Sequence, residues 1–186
     1  MIDRVLQFAR ALAGGPSPQD LAWAKGELAE GERRLFEELS GAEQAHAVRV
    51  AKRALALAQK AGVPETDRTA LVKAALLHDI GKCGAVGLSD KVAIVLAKAF
   101  LPALARRLCR MGEREVQGAA KDKGRPAPAA KLARAFYFDR IHPERGAEMA
   151  GMAGAGGRVV ALIRDHHAPS SGDPLLAILS QADRGA

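Results

Sequence analysis

The chain has 186 residues, 48% apolar but only 4% aromatic, with a formal net charge of +7. That length suits one domain with a substantial core. Two cysteines, Cys83 and Cys109, are too few for a disulfide framework, so a disulfide-stapled secreted scaffold is excluded and a reducing, cytoplasmic setting is expected.

In chain order, nearly every segment reads as helix, and convincing strand alternation is absent. Met1 to Arg10 already contains Asp3 and Arg4 and reads as a mixed helix, not as a secretory leader. Ser17-Pro18 opens a helix with proline at its first position. Ser40 to Glu43 forms a capping-box pattern before the run Ala42 to Ala61, which Gly62 ends. Within that run Ala47, Val50, Ala51, Ala54 and Ala58 share one face, and His46 points to its edge. Thr66 or Asp67 opens the next helix, which carries Leu71, Val72, Ala75 and Leu76, has His78-Asp79 in its last turn and stops at Gly81.

Another helix begins near Ser89 and holds the longest apolar stretch, Val92 to Ala105. Lys98 and Pro102 interrupt it, and it is shorter than the roughly 20 apolar residues a bilayer span needs. From Arg106 to Arg140 ten basic residues face four acidic ones. The plainest reading of that block is a solvated, mobile insertion; attraction to nucleic acid or an anionic membrane surface is the minor one. Gly118 to Ala130 reads as a loop, with structure resuming near Lys131. Phe136-Tyr137-Phe138 reads first as core and second as a stacking surface for a nucleobase. His142-Pro143 is expected to start a helix reaching about Met152, followed by a glycine-rich turn at Ala153 to Gly157. Arg158 to His167 is helical and stops near Pro169, and Asp173-Pro174 opens the final helix.

All five histidines fall into one order with two aspartates: His46, His78-Asp79, His142, His166-His167 and Asp183. Imidazole nitrogen and carboxylate oxygen are ligands for Mn, Fe, Co and Zn. Seven such groups are too many for one tetrahedral ion and suit two. Both doublets are expected at helix C-termini, where the partial negative charge of the carbonyl ends favours a cation. Asp79, with two oxygens, is the natural shared ligand. Asp183 lies four residues after Leu179 and seven after Leu176, on an apolar face where an unpartnered carboxylate would be costly. Taken singly, each histidine has an ordinary structural explanation. Together, the absence of any leftover histidine points to a metal centre.

The run Leu76 to Lys82, LLHDIGK, resembles the HD superfamily of metal-dependent phosphohydrolases, and in particular its HDIG group. His142 to Glu148, Ala161 to His167 and Leu179 to Asp183 are similar to the later ligand segments of that group's two-metal members. The resemblance implies an all-α, HD-domain-like helical bundle with the metal site in a central cleft. It implies N-terminal helices over 1–39 packing on an HD domain over 40–186, with the basic insertion at about 106–135. His46, His78, Asp79 and Asp183 would hold one divalent ion, and Asp79, His142, His166 and His167 the other. Mn or Fe are expected first, with Co, Zn or Mg as alternatives, and a hydroxide bridging the ions would be the nucleophile.

Lys82 is placed to bind phosphate and assist catalysis beside Asp79, and Arg49 and Arg53, three and seven residues after His46, are further phosphate-binding candidates. The expected substrate is a small phosphorylated molecule, a nucleotide or cyclic nucleotide phosphodiester. Two other functions use the same features. One is a di-iron oxygenase of the HD type, which needs the same ligands. The other is a non-catalytic ligand or nucleic-acid-binding module, which needs the basic segment.

Overall fold

Residues 15–118, 128–167 and 172–186 are described by the structure, a computed structural model. In chain order the helices are α1 (Pro18–Glu27), α2 (Glu30–Glu38), α3 (Gly41–Lys60), α4 (Glu65–Leu77), a 3₁₀ turn (Ile80–Lys82), α5 (Leu88–Phe100), α6 (Pro102–Gly118), α7 (Pro128–Met152), α8 (Gly157–Asp165) and α9 (Pro174–Arg184). No strand occurs among the described residues, so the fold is the all-α one expected. Two compact units divide the chain, Met1–Gly81 with Pro143–Ala186, and Lys82–His142.

Local chemistry fixes the helix ends in the first unit. Ser17 Oγ accepts from the Asp20 amide at 3.1 Å, and Pro18 follows at a position where its missing N–H costs nothing. Ser40 and Glu43 form the reciprocal capping box, with the Ser40 amide donating to Glu43 Oε2 at 2.8 Å. Gly62, at φ +69°, takes the left-handed conformation that ends α3. Asp173 Oδ1 accepts from the Leu175 amide at 2.9 Å ahead of Pro174.

Helix α4 is the centre of this unit. Leu71, Val72, Ala74, Ala75, Leu76 and Leu77 are all buried, and α1, α2, α3, α8 and α9 all touch it. A helix that is apolar on nearly every side can only be satisfied by neighbours on nearly every side. Alanines 47, 51, 54 and 58 face the interior from α3. The polar exception within the buried stretch Leu71 to Leu77 is Lys73, whose Nζ lies 2.7 Å from Glu32 Oε2. Glu32 is only 1% exposed, and the same oxygen accepts from the Ala29 amide at 2.8 Å, so this buried carboxylate is partnered twice. A Cβ on Gly31 would sit 2.2 Å from the Ala153 carbonyl oxygen, a backbone approach that only glycine allows.

The second unit has its own small core of Val86, Ile94, Ala105, Ala135 and Phe136. Its backbones also meet at a glycine, because a Cβ on Gly112 would lie 2.0 Å from the Ala133 carbonyl oxygen. Lys98 pairs with Asp139, and Arg140 with Glu113 at 3.1 Å. Phe136 is core, and Phe138 is partly buried against the same cluster.

Several expected boundaries move. Helix α4 starts at Glu65 behind Pro64, and it ends at Leu77. His78 is therefore the cap and Asp79 lies beyond it, while Gly81 sits inside the 3₁₀ turn instead of stopping a helix. The helix expected to resume near Lys131 includes Pro128 onward, and within the basic block Arg106 to Gly118 and Pro128 to Arg140 are helical. The expected helix at residues 1–10 and most of the expected loop, 119–127, lie outside the described residues.

The largest correction concerns His142-Pro143, which begins no helix: Pro143 is interior to the 25-residue α7. Proline removes the amide that would bond the carbonyl four residues back, which here belongs to Asp139. The His142 ring supplies a donor instead, its Nδ1 lying 2.7 Å from Asp139 O. The carbonyl that the proline leaves without its helical partner is thereby satisfied.

Candidate metal centre

The site is built where α3, α4, α8 and α9 bring their ligand-type residues together. His46 projects from α3 at the edge of its buried face. His78 caps α4 and Asp79 follows it; His166 caps α8 and His167 follows it; Asp183 sits in the last turn of α9. Ligand atoms of His46, His78 and Asp79 all lie within 4.8 Å of one another, close enough to share one ion. Asp183 Oδ1 is 3.1 Å from His46 Nε2 and 3.7 Å from His78 Nε2, and Asp79 Oδ1 is also 3.7 Å from His78 Nε2. Ring centroids run 5.5 Å from His46 to His78, 5.3 Å from His78 to His166 and 4.0 Å from His166 to His167. The first unit thus gathers six of the seven residues predicted from the sequence.

One device repeats along the chain. His78 Nδ1 bonds the Ala75 carbonyl at 2.9 Å, and His166 Nδ1 bonds that of Ile163 at 2.7 Å, each three residues back on its own helix. His142, the last residue of the second unit, does the same to Asp139. The last carbonyls of a helix lack helical partners, and a folded-back imidazole satisfies one. With the proton held on Nδ1, the lone pair of the neutral ring is on Nε2, the tautomer a metal needs.

The electrostatics agree with this donor set. Burial alone would raise the Asp183 carboxyl, but the hydrogen bond from His46 and the nearby His78 outweigh it and hold that carboxyl far below the usual range. Burial alone would lower His78, yet the charges of Asp79 and Asp183 and the Ala75 carbonyl carry it above the usual imidazole value. His166 goes the other way, down to about 3, through burial and then repulsion from His78 and His167. Two carboxylates and neutral imidazoles in a largely buried cluster suit a divalent cation, which can take the place that protons otherwise fill. The helix ends add to this: the carbonyl termini of α4 and α8 meet at His78 and His166.

The proposed phosphate contacts fall differently. Lys82 is half-buried at the end of the 3₁₀ turn and is the first residue of the second unit. Arg49 is exposed on α3. The expectation of phosphate binding at Arg53 meets another contact, because Arg53 Nη1 donates to the Gly185 carbonyl at 2.7 Å and so ties down the chain two residues after Asp183. A Cβ on Gly185 would collide with that guanidinium at 2.3 Å.

Sequence reasoning overlooked Arg145, whose Nη1 donates to the Gly81 carbonyl at 2.6 Å and holds the turn that follows Asp79. It also overlooked Gly146, where a Cβ would lie 3.2 Å from the Gly81 amide nitrogen. The spacing carried one usable signal: an arginine and a glycine stand three and four residues after His142, inside the His142 to Glu148 segment.

Residues 44–135 match the family model described as HD domain, a span that includes His46, His78 and Asp79. No curated protein and no solved structure matches the chain. HD domains bind divalent metals and are generally hydrolases of the metal-dependent phosphohydrolase type. With that match on top of an all-helical fold, the chain belongs to the HD superfamily.

Proposed function

We propose that the chain is a two-metal phosphohydrolase of the HDIG type, hydrolysing a phosphate ester, with a nucleotide or cyclic nucleotide phosphodiester as the favoured substrate. The observation that carries this reading is the grouping of His46, His78 and Asp79 within 4.8 Å, with Asp183 against both imidazoles. These four would hold one ion. Asp79 would be shared with a second ion held by His166 and His167, to which the sequence pattern adds His142. Bound divalent ions lower the pKa of water toward neutrality and neutralise a phosphoryl oxygen.

The chain's own residues do the rest. Main-chain carbonyls of Ala75 and Ile163 orient two of the imidazoles. Arg145 and Gly146 hold the Gly81 turn, and Arg53 holds the end of α9, so both carboxylates are positioned by their supports. Lys82 and Arg49 are the proposed phosphate contacts, each a charge suited to a phosphoryl oxygen.

The test is metal analysis of the purified protein combined with a panel of mono-, di- and cyclic dinucleotides under Mn²⁺ or Fe²⁺. Two ions per chain and phosphate-ester cleavage are expected. The double variant His78→Ala with Asp79→Ala should lose metal affinity by more than about 100-fold, beyond what supporting residues cost, and activity with it. Cleavage that survives the double variant rejects the proposal. Oxygen uptake by the reduced-iron form without ester cleavage would replace it with the oxygenase reading.

A further inference from the structure

The second unit carries the whole positive excess of the chain. Residues 82–142 hold thirteen Lys and Arg against five Asp and Glu, whereas the remainder holds fifteen against sixteen. Among the described residues, the same unit also holds nearly all the large apolar side chains left in solvent. Val92, Val95, Leu96 and Phe100 on α5 are 38–60% exposed, as are Leu101 and Leu104 at the junction with α6.

Spacing shows that this is a face and not scatter. Val92, Val95, Leu96, Ala99 and Phe100 recur at three- and four-residue intervals, one stripe of a helix. The core stripe of α5 is a different one, with Ile94 buried and Ala97 against it. Helix α5 is therefore apolar on two sides and buries one. Helix α6 continues the theme. Leu104 and Met111 are exposed, and Arg107 and Arg114 follow each of them by three residues; Arg106 and Arg110 complete an exposed basic back.

We propose that the α5–α6 hairpin is a membrane-surface anchor that lies in the interface of an anionic bilayer, with the Leu96, Phe100, Leu101 and Leu104 tip in the acyl boundary and the α6 arginines on lipid headgroups. Charge complementarity decides the occupant. A second copy of the chain would bring an equally basic hairpin against this one. Nucleic acid would satisfy the arginines but leave valine and leucine in water, whereas an anionic interface satisfies both sets. Lying on the surface also fits the helix lengths, since none among the described residues is long and apolar enough to cross.

The test is co-sedimentation of the full chain with phosphatidylcholine vesicles, with and without 30% phosphatidylserine. The variants are a tip triple, Leu96→Gln with Phe100→Gln and Leu104→Gln, and a charge triple, Arg106→Gln with Arg107→Gln and Arg110→Gln. Wild type is expected on anionic vesicles only, released by salt. The charge triple should lose on the order of a hundredfold in partitioning, from about fivefold per charge. The tip triple should lose at least about tenfold. All six side chains are exposed, and circular dichroism will show that both variants keep the wild-type helix content and melting temperature.

Wild type that fails to sediment at low salt overturns the proposal. So does vesicle binding that the tip triple leaves unchanged. Two other results also overturn it: tighter binding to a single- or double-stranded oligonucleotide that ignores the tip triple, or a vesicle-free dimer that the tip triple dissociates.

Discussion

Helices α4 and α5 are both 13 residues long and both rich in leucine, valine and alanine, yet Leu76 on the first is wholly buried while Leu96 on the second keeps 46% of its surface in solvent. The difference is one of neighbours. Five helices close around α4, whereas α5 buries a single stripe against a core of five buried residues. Apolar composition therefore sets the demand for burial, and the topology decides where the demand is met. Where it is met, the unit can hold ionisable groups such as Glu32 and His78 out of water with partners. Where it is unmet, the exposed stripe has to find its partner elsewhere.

The same truncation on both helices would break the comparison most directly. Leu76→Ala should cost roughly 2–5 kcal/mol, as large-to-small changes in closed cores do. Leu96→Ala should stay within about 0.5 kcal/mol. Urea unfolding of both variants measures the gap; equal losses would mean that α5 is buried in solution. Metal should act on the helices that carry its proposed ligands and not on α5 and α6. At 100-fold excess over its dissociation constant, Mn²⁺ should add about 2.7 kcal/mol of protection to the amides of α3, α4, α8 and α9. Hydrogen exchange of α5 and α6 should be unchanged, and a chelator should reverse the effect. Uniform protection would show that the two units open together.

A third change reverses the roles. Gly112→Ala places a methyl 2.0 Å from a main-chain oxygen that cannot swing aside, so α6 must shift from α7. The expected cost is about 1–3 kcal/mol, read as faster exchange in α5 and α6 with α4 unaffected.

Legibility follows the same division. The all-α fold, the α3 face and the caps at Ser17, Ser40 and Asp173 were readable because each rests on short-range chemistry: spacing, a side-chain oxygen or a proline at the first turn. The grouping of His46, His78, Asp79, His166, His167 and Asp183 was readable because histidine is rare here and none is spare. What could not be read was the repair of a local rule at a distance the rule ignores. Pro143 signals a helix start, and nothing in its own residue type says that the ring before it will donate to Asp139 in place of the missing amide. The contact made by Arg53 was hidden for a related reason. Its partner, Gly185, is 132 residues away in sequence, so helical spacing from His46 carried no information about it.

The smallest expected effect falls where the first unit behaves like the second, at an exposed and charged helix end. Asp173 caps α9 through the Leu175 amide and pairs with Arg158 at 2.5 and 3.0 Å, and that guanidinium, more than the amides, holds its carboxyl below the usual range of 3.8. Asp173→Ala should cost about 1 kcal/mol at pH 6, most of it the lost cap, because surface pairs contribute little. The pH dependence has a definite sign. A carboxyl whose folded pKa is depressed contributes fully above its unfolded pKa, and the contribution fades as pH falls toward the folded one. The stability gap between wild type and variant should therefore be constant down to about pH 4.5, given that unfolded value near 3.8, and shrink below it. A gap that grew in acid would mean that the carboxyl is a burden in the folded chain, so that α9, and Asp183 with it, is held by Arg53 and the buried leucines alone.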